Sequence, residues 1–248
     1  MWLAQGAGRA IVGTMANPLL SRAGVPSAFD RVAGQYDGLV GANPGYAAHL
    51  AESAARLQLA PAEGRVLDVC CGTGISTGAL RATYPGATLV GLDGSENMLA
   101  VAAQKPDLRA TFVHGDGHDP GRLVEGPFDA VFTAYGVRNL SDPDRFLENV
   151  FGLIRPGGRL GIHDYCLDGS RRAAVTWNAV SLGIVLPLGV ARSRHVALWR
   201  YLRRSVFDFD RIEPLRRRVL RAGFREVAIE TMTGWQRGIV HTLVATRP

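Results

Sequence analysis

Val66-Leu67-Asp68-Val69-Cys70-Cys71-Gly72-Thr73-Gly74 is the stretch that decides the fold. Its first half is an apolar run that reads as a buried parallel strand. Gly72-Thr73-Gly74 then reads as a sharp turn into a helix beginning near Ile75. Glycines at such a turn let the backbone approach a ligand that a Cβ would strike. A second apolar run, Ala87 to Leu92, ends in Asp93, nineteen residues past Gly74. An acid at that strand tip can accept both ribose hydroxyls of a nucleoside. Two phosphate-binding patterns are excluded. The dinucleotide fingerprint needs a third glycine where Thr77 stands, and a phosphate loop needs Gly-Lys-Ser/Thr, whereas Lys105 is the only lysine in the chain. The loop is read as a site for a nucleoside without a pyrophosphate, and S-adenosylmethionine is the expected cofactor.

Outward from this loop, strands alternate with helices. Helical spacing of Ala47, Leu50, Ala54 and Leu57 predicts a helix over Pro44 to Leu57. Strands are predicted at Arg65–Cys70, Thr88–Asp93, Ala110–His114, Phe128–Ala134, Arg159–Tyr165, Glu226–Thr231 and Gly238–Thr246. Ser95 and Asp142-Pro143 are helix-start signals, and Pro156-Gly157-Gly158 reads as the turn before the fifth strand. The pattern implies an α/β, Rossmann-like, mostly parallel seven-stranded sheet with helices on both faces. Ligands on such sheets bind beyond the carboxyl ends of the strands, where Gly72, Asp93, Asp116 and Tyr135 to Asn139 fall. The expected cofactor contacts are Asp68, Cys71, Gly72, Thr73, Gly74, Asp93, Gly94, Met98, Asp116, Gly117 and Tyr135. Amides of Gly72 to Gly74 would border the methionine end, Asp93 would hold the ribose, and Asp116 with Gly117 would meet the adenine amino group.

The 248 residues are 47% hydrophobic, enough for one α/β domain with a sizeable core. Residues 1–25 read as a flexible arm and 26–248 as the catalytic domain, with a helical, basic cap at 166–210. The three cysteines include the adjacent Cys70 and Cys71 and form no disulfide or metal-ligand spacing, which fits a reducing cytoplasm and no metal site. Charge is uneven. Asp168 to Arg221 holds 12 arginines against four acids, while the rest carries 16 basic and 18 acidic residues. Such asymmetry points to an anionic surface, with a solvated Arg-rich face as the alternative. Ala173 to Ala191 is 19 residues without a charge, interrupted by Gly183, Pro187 and Gly189, and reads as an apolar lid or surface-docking helix. No nucleic-acid module is recognisable, so nucleic acid is a disfavoured partner.

Four stretches carry a resemblance. Phe29-Asp30-Arg31-Val32-Ala33-Gly34-Gln35-Tyr36-Asp37, Val137-Arg138-Asn139-Leu140 with Asp142, Leu198 to Val206 with Tyr201-Leu202 and Ser205, and Ala222-Gly223-Phe224 followed by Met232-Thr233-Gly234 and His241 resemble motifs of one family. It is the ubiquinone/menaquinone-biosynthesis C-methyltransferases, within the class I S-adenosylmethionine-dependent methyltransferases. Departures are Cys70 at the first glycine of the loop, Leu39-Val40 after Tyr36-Asp37, His163-Asp164-Tyr165-Cys166 at the end of strand five, and Trp235-Gln236-Arg237 near the end. The resemblance implies C-methylation of a prenylated, demethylmenaquinol-like quinol. A C- or O-methyltransferase of a soluble phenolic secondary metabolite is the alternative reading.

An aromatic carbon becomes a nucleophile when an adjacent hydroxyl loses its proton, and a phenol near pKa 10 needs a base or a cation for that. Arg138 is the candidate cation or holder of an activating water, and Asn139 and Tyr36 would orient the ring. His163 is the preferred candidate base and His241 a second, against a structural role for either. Trp177, Trp199, Phe207 and Phe209 could line a pocket for an isoprenoid tail or simply form core. The expected partners are a lipophilic quinol or phenol and an anionic membrane at the inner face of the plasma membrane. A homodimer is compatible with this reading.

Overall fold

The computed structural model describes residues 20–43, 45–60 and 63–248. Among them seven strands form one sheet: β1 (Arg65–Val69), β2 (Thr88–Asp93), β3 (Ala110–His114), β4 (Phe128–Ala134), β5 (Ile154–Tyr165), β6 (Arg225–Thr231) and β7 (Val240–Thr246). Their order is β3-β2-β1-β4-β5-β7-β6. β3, β2, β1, β4 and β5 run parallel, whereas β7 is antiparallel to both β5 and β6. The chain reverses its direction of winding between β1 and β4, and the crevice above their carboxyl ends is where such a sheet takes a ligand.

Helices α1 (Val25–Asp30), α2 (Ala33–Gly41) and α3 (Tyr46–Arg56) precede the sheet. The parallel crossovers contain α4 (Ile75–Thr83), α5 (Glu96–Ala103) and α6 (Pro143–Leu153). Between β5 and β6 come α7 (Arg171–Val180), α8 (Leu186–Ser193), α9 (Val196–Asp208) and α10 (Ile212–Arg221). A π-helical turn, Ser181–Val185, fuses α7 and α8 into a single run of 23 residues.

Local chemistry explains the starts. Ser95 accepts the Met98 amide at the head of α5, and Asp142 accepts that of Arg145 at the head of α6, with Pro143 just inside. The buried face of α6, Phe146, Leu147 and Val150, packs into a cluster with Leu67, Val131, Leu160 and Leu243 on one side of the sheet. Leu57, Leu80, Leu89 and Phe132 form a cluster against α3 and α4.

Some boundaries differ from expectation for stated reasons. β1 ends at Val69, because Cys70 has φ +61 and leaves the extended region. β5 starts at Ile154, which already pairs with Phe128. The expected Pro156-Gly157-Gly158 turn is absorbed as an irregularity in the register, with the Gly157 amide on Arg247 O. Of the arm expected over 1–25, residues 1–19 lie outside the described residues. Leu20 to Val25 are not an arm. Leu20 packs beside the cluster of Ala28, Val32, Met98 and Leu198, and Arg22–Gly24 form a 3-10 turn running into α1.

Candidate active site

A cavity of about 530 Å³ opens above the carboxyl ends of β1, β2 and β4. It is bordered by Cys71, Gly72, Thr73, Asp93, Gly94, Met98, Asp116, Gly117, Tyr135, Arg138 and Asn139, all expected from sequence. A second cavity of about 360 Å³ meets it and shares Phe29, Tyr36, Tyr46, Tyr135 and Arg138. Two joined chambers of this size suit two reactants held side by side.

The first chamber fits a nucleoside carried on a sulfonium amino acid. Asp93 sits at the tip of β2 with Oδ2 accepting the Gly72 amide at 2.8 Å and Oδ1 the Ser95 amide at 2.8 Å. Burial raises its pKa, against the pull of those two amides. Each carboxylate oxygen has a second lone pair, which leaves acceptors for two ribose hydroxyls. Gly72 has φ +55, and a Cβ there would meet no protein atom within 4 Å, so the backbone itself forms the wall. Thr73 Oγ1 donates to Asp37 at 2.5 Å, and Lys105 Nζ joins Asp37 and the Thr73 carbonyl at 2.5 and 2.7 Å. The one lysine of the chain therefore ties α2 onto the cofactor loop.

Two of the expected cofactor residues are corrected. Asp68 is wholly buried and does not border the cavity. Its Oδ2 accepts the hydroxyls of Ser76 and Thr77 at 2.7 Å each, so it fixes the first turn of α4. Burial outweighs those two bonds and raises its pKa to about 7. Gly74 also lies off the cavity, and its amide donates to Cys71 O. It has φ +81, and a Cβ there would stand 2.6 Å from Leu108, so this glycine serves the close approach of α4 to its neighbours. The amides of Gly72 and Gly74 are thus engaged within the protein, and the loop contributes shape more than free donors.

The acceptor side is aromatic. Tyr46 stacks on Tyr135 at 5.2 Å, and the Arg138 guanidinium lies 5.3 Å from the Tyr165 ring centre. Arg138 Nη1 donates to Asp164 Oδ1 at 2.6 Å and to Tyr135 O at 2.8 Å. Burial opposes its charge, but Asp164 outweighs it and raises the Arg138 pKa. Nε of Arg138 is buried without a partner. Asn139 donates to Tyr135 O and accepts from the Tyr201 hydroxyl at 3.1 Å.

His163, expected as a base, borders neither chamber. It is fully buried behind Tyr135, with Nε2 2.9 Å from the Tyr135 hydroxyl and Nδ1 2.6 Å from Ser53 Oγ. Burial lowers its pKa to about 3, so it is neutral and braces Tyr135. His241 is likewise buried, 2.7 Å from Cys166 O. Of the four aromatics weighed for a tail pocket, only Trp199 lines the second chamber. Trp177 and Phe209 are core and Phe207 is exposed.

Sequence reading misses Tyr46, Tyr165, Cys70 and His118 as wall residues. In the sequence Cys70 stands out only as a departure from the glycine loop. Its φ of +61 and the φ of +58 at Tyr135 put two non-glycine residues in left-handed conformation at the chamber wall. Residues held this way cost energy and cluster at functional sites.

The sheet order, the glycine turn after β1 and the acid at the tip of β2 define a class I methyltransferase. The profile of the ubiE/COQ5 methyltransferase family matches residues 20–247, and the chain belongs to that family. A demethylmenaquinone methyltransferase of Thermus thermophilus is 32% identical over 194 residues, 77% of this chain and 86% of that protein. One of Staphylococcus aureus is 32% identical over 177 residues, 68% of this chain and 71% of that protein. The solved phosphoethanolamine N-methyltransferase 2 of Haemonchus contortus, in complex with S-adenosyl-L-methionine, shares the fold. Its TM-score is 0.66 at 17% identity, over 94% of this chain and 61% of that one. The chain is a methyltransferase, and S-adenosylmethionine is its cofactor.

Proposed function

We propose that the protein methylates a ring carbon of a lipophilic, demethylmenaquinol-like quinol. The observation that carries this is the second chamber. It meets the cofactor chamber at Arg138 and Tyr135, and its far wall is Val180, Ile184, Val185, Leu188, Leu198 and Leu202. A flat ring fits among Tyr36, Tyr46, Tyr135 and Tyr165, and an isoprenoid tail fits the aliphatic wall. The names of the relatives point to the same substrate class.

Bound S-adenosylmethionine supplies an activated methyl group on a sulfonium. The protein has to align the acceptor carbon with it, and well-oriented geometry is worth about 7–11 kcal/mol at most. It also has to favour the phenolate of the acceptor. Arg138 lines both chambers and is the charged side chain at their junction, so it is the cation assigned to that role. Its Nη1 is held by Asp164, and its Nε is the buried donor without a partner. A positive charge within about 4–6 Å lowers the pKa of an acid by about 1–3 units. Asn139, fixed by Tyr135 O and Tyr201, would orient the ring.

The same reading covers docking on a membrane. Val175, Leu182, Ile184 and Leu188 are exposed on the 23-residue run Arg171–Ser193. That run is long and apolar enough to cross a bilayer, but its other side, with Ala173, Trp177, Ser181 and Gly189, is buried against the domain. Ile184 and Leu188 also line the second chamber, so the exposed apolar face and the chamber mouth are continuous. Arg171, Arg172 and Arg192 on the same run, and Arg194 just after it, are exposed. An anionic leaflet complements them, and a tailed quinol could enter from the bilayer without crossing water.

The test is incubation with cofactor labelled at the methyl group and a panel of quinols with and without a prenyl tail. Ring methylation with both hydroxyls retained, faster on tailed quinols, is the expected product. A methyl ether, or turnover restricted to tail-less phenols, overturns the proposal in favour of a soluble phenolic substrate.

A further inference from the structure

His118 lies on the loop after β3 and borders the cofactor chamber, yet nothing in the reaction described above uses it. Its Nδ1 is 2.6 Å from Asp116 Oδ1, and its own amide donates to the same oxygen at 3.0 Å. On the far side of the ring, Nε2 receives the Ser141 amide at 3.0 Å and the Asp142 amide at 3.3 Å, with Ser141 Oγ at 3.1 Å. An amide can only donate. Nε2 is therefore the bare nitrogen, and Nδ1 carries the proton that is given to Asp116. The tautomer is set by the protein.

This ring joins two walls of the chamber. One is the loop of Asp116, and the other is the loop after β4, which carries Arg138 and Asn139 before reaching Ser141. The charged group on the ring is Asp116 of its own loop; beside it Asp119 pairs with Arg145 of α6, and the Asp142 carboxylate caps the Arg145 amide. The Asn149 amide group on α6 also holds His118 O at 2.7 Å. Burial raises the Asp116 pKa, but the amide and ring of His118 outweigh it and leave Asp116 below the ordinary carboxylate value.

We propose that neutral His118 is a positioning residue for the cofactor, holding the Asp116 carboxylate toward the nucleoside and clamping its loop to the loop of Arg138. This rests on Asp116 facing the nucleoside, and it is independent of which acceptor is methylated. The bridge has consequences for binding. Loss of the ring should weaken cofactor binding. A side chain that keeps only the donor to Asp116 should recover the part of the affinity that comes from holding that carboxylate, and not the part that comes from the clamp to the β4 loop.

The experiment is calorimetric titration of the whole protein with S-adenosylhomocysteine, with no acceptor present, beside steady-state kinetics. His118→Ala should bind about tenfold more weakly, with kcat at saturating cofactor changed far less than KM for the cofactor. His118→Asn, which can still donate to Asp116, should fall between His118→Ala and the wild type. His118→Ala with wild-type affinity overturns the proposal, as does a His118→Asn variant no tighter than His118→Ala. If His118→Ala fails to fold, His118→Asn decides it: a several-fold loss confined to the KM for the cofactor supports the clamp, and wild-type affinity overturns it. An acceptor different from a quinol would leave all of these readings unchanged.

Discussion

Arg138 and Asp164 form an ion pair with side chains 4% and 1% exposed, Nη1 to Oδ1 at 2.6 Å, beneath the junction of the two chambers. Asp164 also accepts the amides of Arg138 and Tyr165. Burial raises its pKa, yet every neighbour of its carboxylate is a donor, an arrangement that requires the anion. Asp164 thus fixes the guanidinium through Nη1 and leaves the buried Nε without a partner.

Removing one partner of such a pair costs about 3–5 kcal/mol, because the other is left buried and charged. Asp164→Ala should therefore destabilise the fold by that amount in denaturant titrations. Arg138→Lys keeps a charge but loses the planar fork that reaches Asp164, Tyr135 O and the acceptor together. Its kcat should fall by about 10²–10³, the effect of losing one preorganised electrostatic donor. An unchanged kcat with a raised KM would make Arg138 a binding residue only.

Asp93 couples the glycine loop to the ribose position. Asp93→Ala removes two acceptors from the cofactor and releases the Gly72 and Ser95 amides. Hydrogen bonds to a charged group are worth about 1.5–3 kcal/mol each. Affinity for S-adenosylmethionine should drop at least tenfold with the fold intact, as read by calorimetry and far-UV circular dichroism. Unchanged affinity would remove Asp93 from the site.

Asp68 and His163 oppose one another in acid. His163 has a folded pKa of about 3 against an ordinary 6.5, so its contribution is complete above 6.5 and is lost as pH falls toward 3. Asp68 is raised from 3.8 to about 7, so its contribution is present below 3.8 and is lost as pH rises toward 7. Between pH 4 and 6.5 the two slopes nearly cancel. Asp68→Asn, whose amide can still accept from Ser76 and Thr77, should expose the histidine slope of about 1.4 kcal/mol per pH unit. Melting temperature measured from pH 4 to 7 checks this: the variant should lose stability in acid more steeply than the wild type. Equal slopes would mean that Asp68 ionises normally.

The strands were legible because each is an apolar run of ordinary length between turn signals, and β2, β3 and β4 fall at their expected bounds. The cofactor chamber was legible at Asp93, Asp116 and Gly72 because sheet topology puts strand ends in one crevice. Burial was not. Neighbours on a strand point to opposite faces, and at the end of β5 Asp164 meets Arg138 while His163 meets Ser53. Residue type alone does not reveal which of them reaches a cavity. Tyr46 and His118 were missed because their partners, Tyr135 and Ser141, lie far along the chain.

Cys70 holds φ +61 where the loop motif has glycine. Left-handed backbone costs a non-glycine residue about 1–2 kcal/mol, partly offset because glycine loses more entropy on folding. Cys70→Gly should therefore leave stability unchanged or raise it by up to about 1 kcal/mol. Cys70→Val, β-branched, should lower it by on the order of 2 kcal/mol. Denaturation midpoints separate the two, and a Val variant as stable as the wild type would show that the turn carries no strain.

The exposed apolar face of Arg171–Ser193 gives the docking proposal its own measurement. Leu182, Ile184 and Leu188 are exposed on this run, Ile184 and Leu188 also line the chamber, and Arg171, Arg172 and Arg192 on the same run are exposed. Each arginine near an anionic leaflet contributes about 1 kcal/mol, an attraction that fades within a Debye length of about 8 Å at physiological salt. Buried apolar area adds a part that salt does not screen. Co-sedimentation with vesicles should therefore rise with anionic lipid and fall, without vanishing, between low and high salt. Val175→Ser together with Leu182→Ser should weaken the salt-resistant part and slow turnover of a tailed quinol in vesicles, while a tail-less quinol in solution is turned over as before. Ile184 and Leu188 border the chamber, whereas Val175 and Leu182 are outside it, so this pair separates docking from binding of the ring. Equal sedimentation with neutral and anionic vesicles, or none with either, would refute docking through this face.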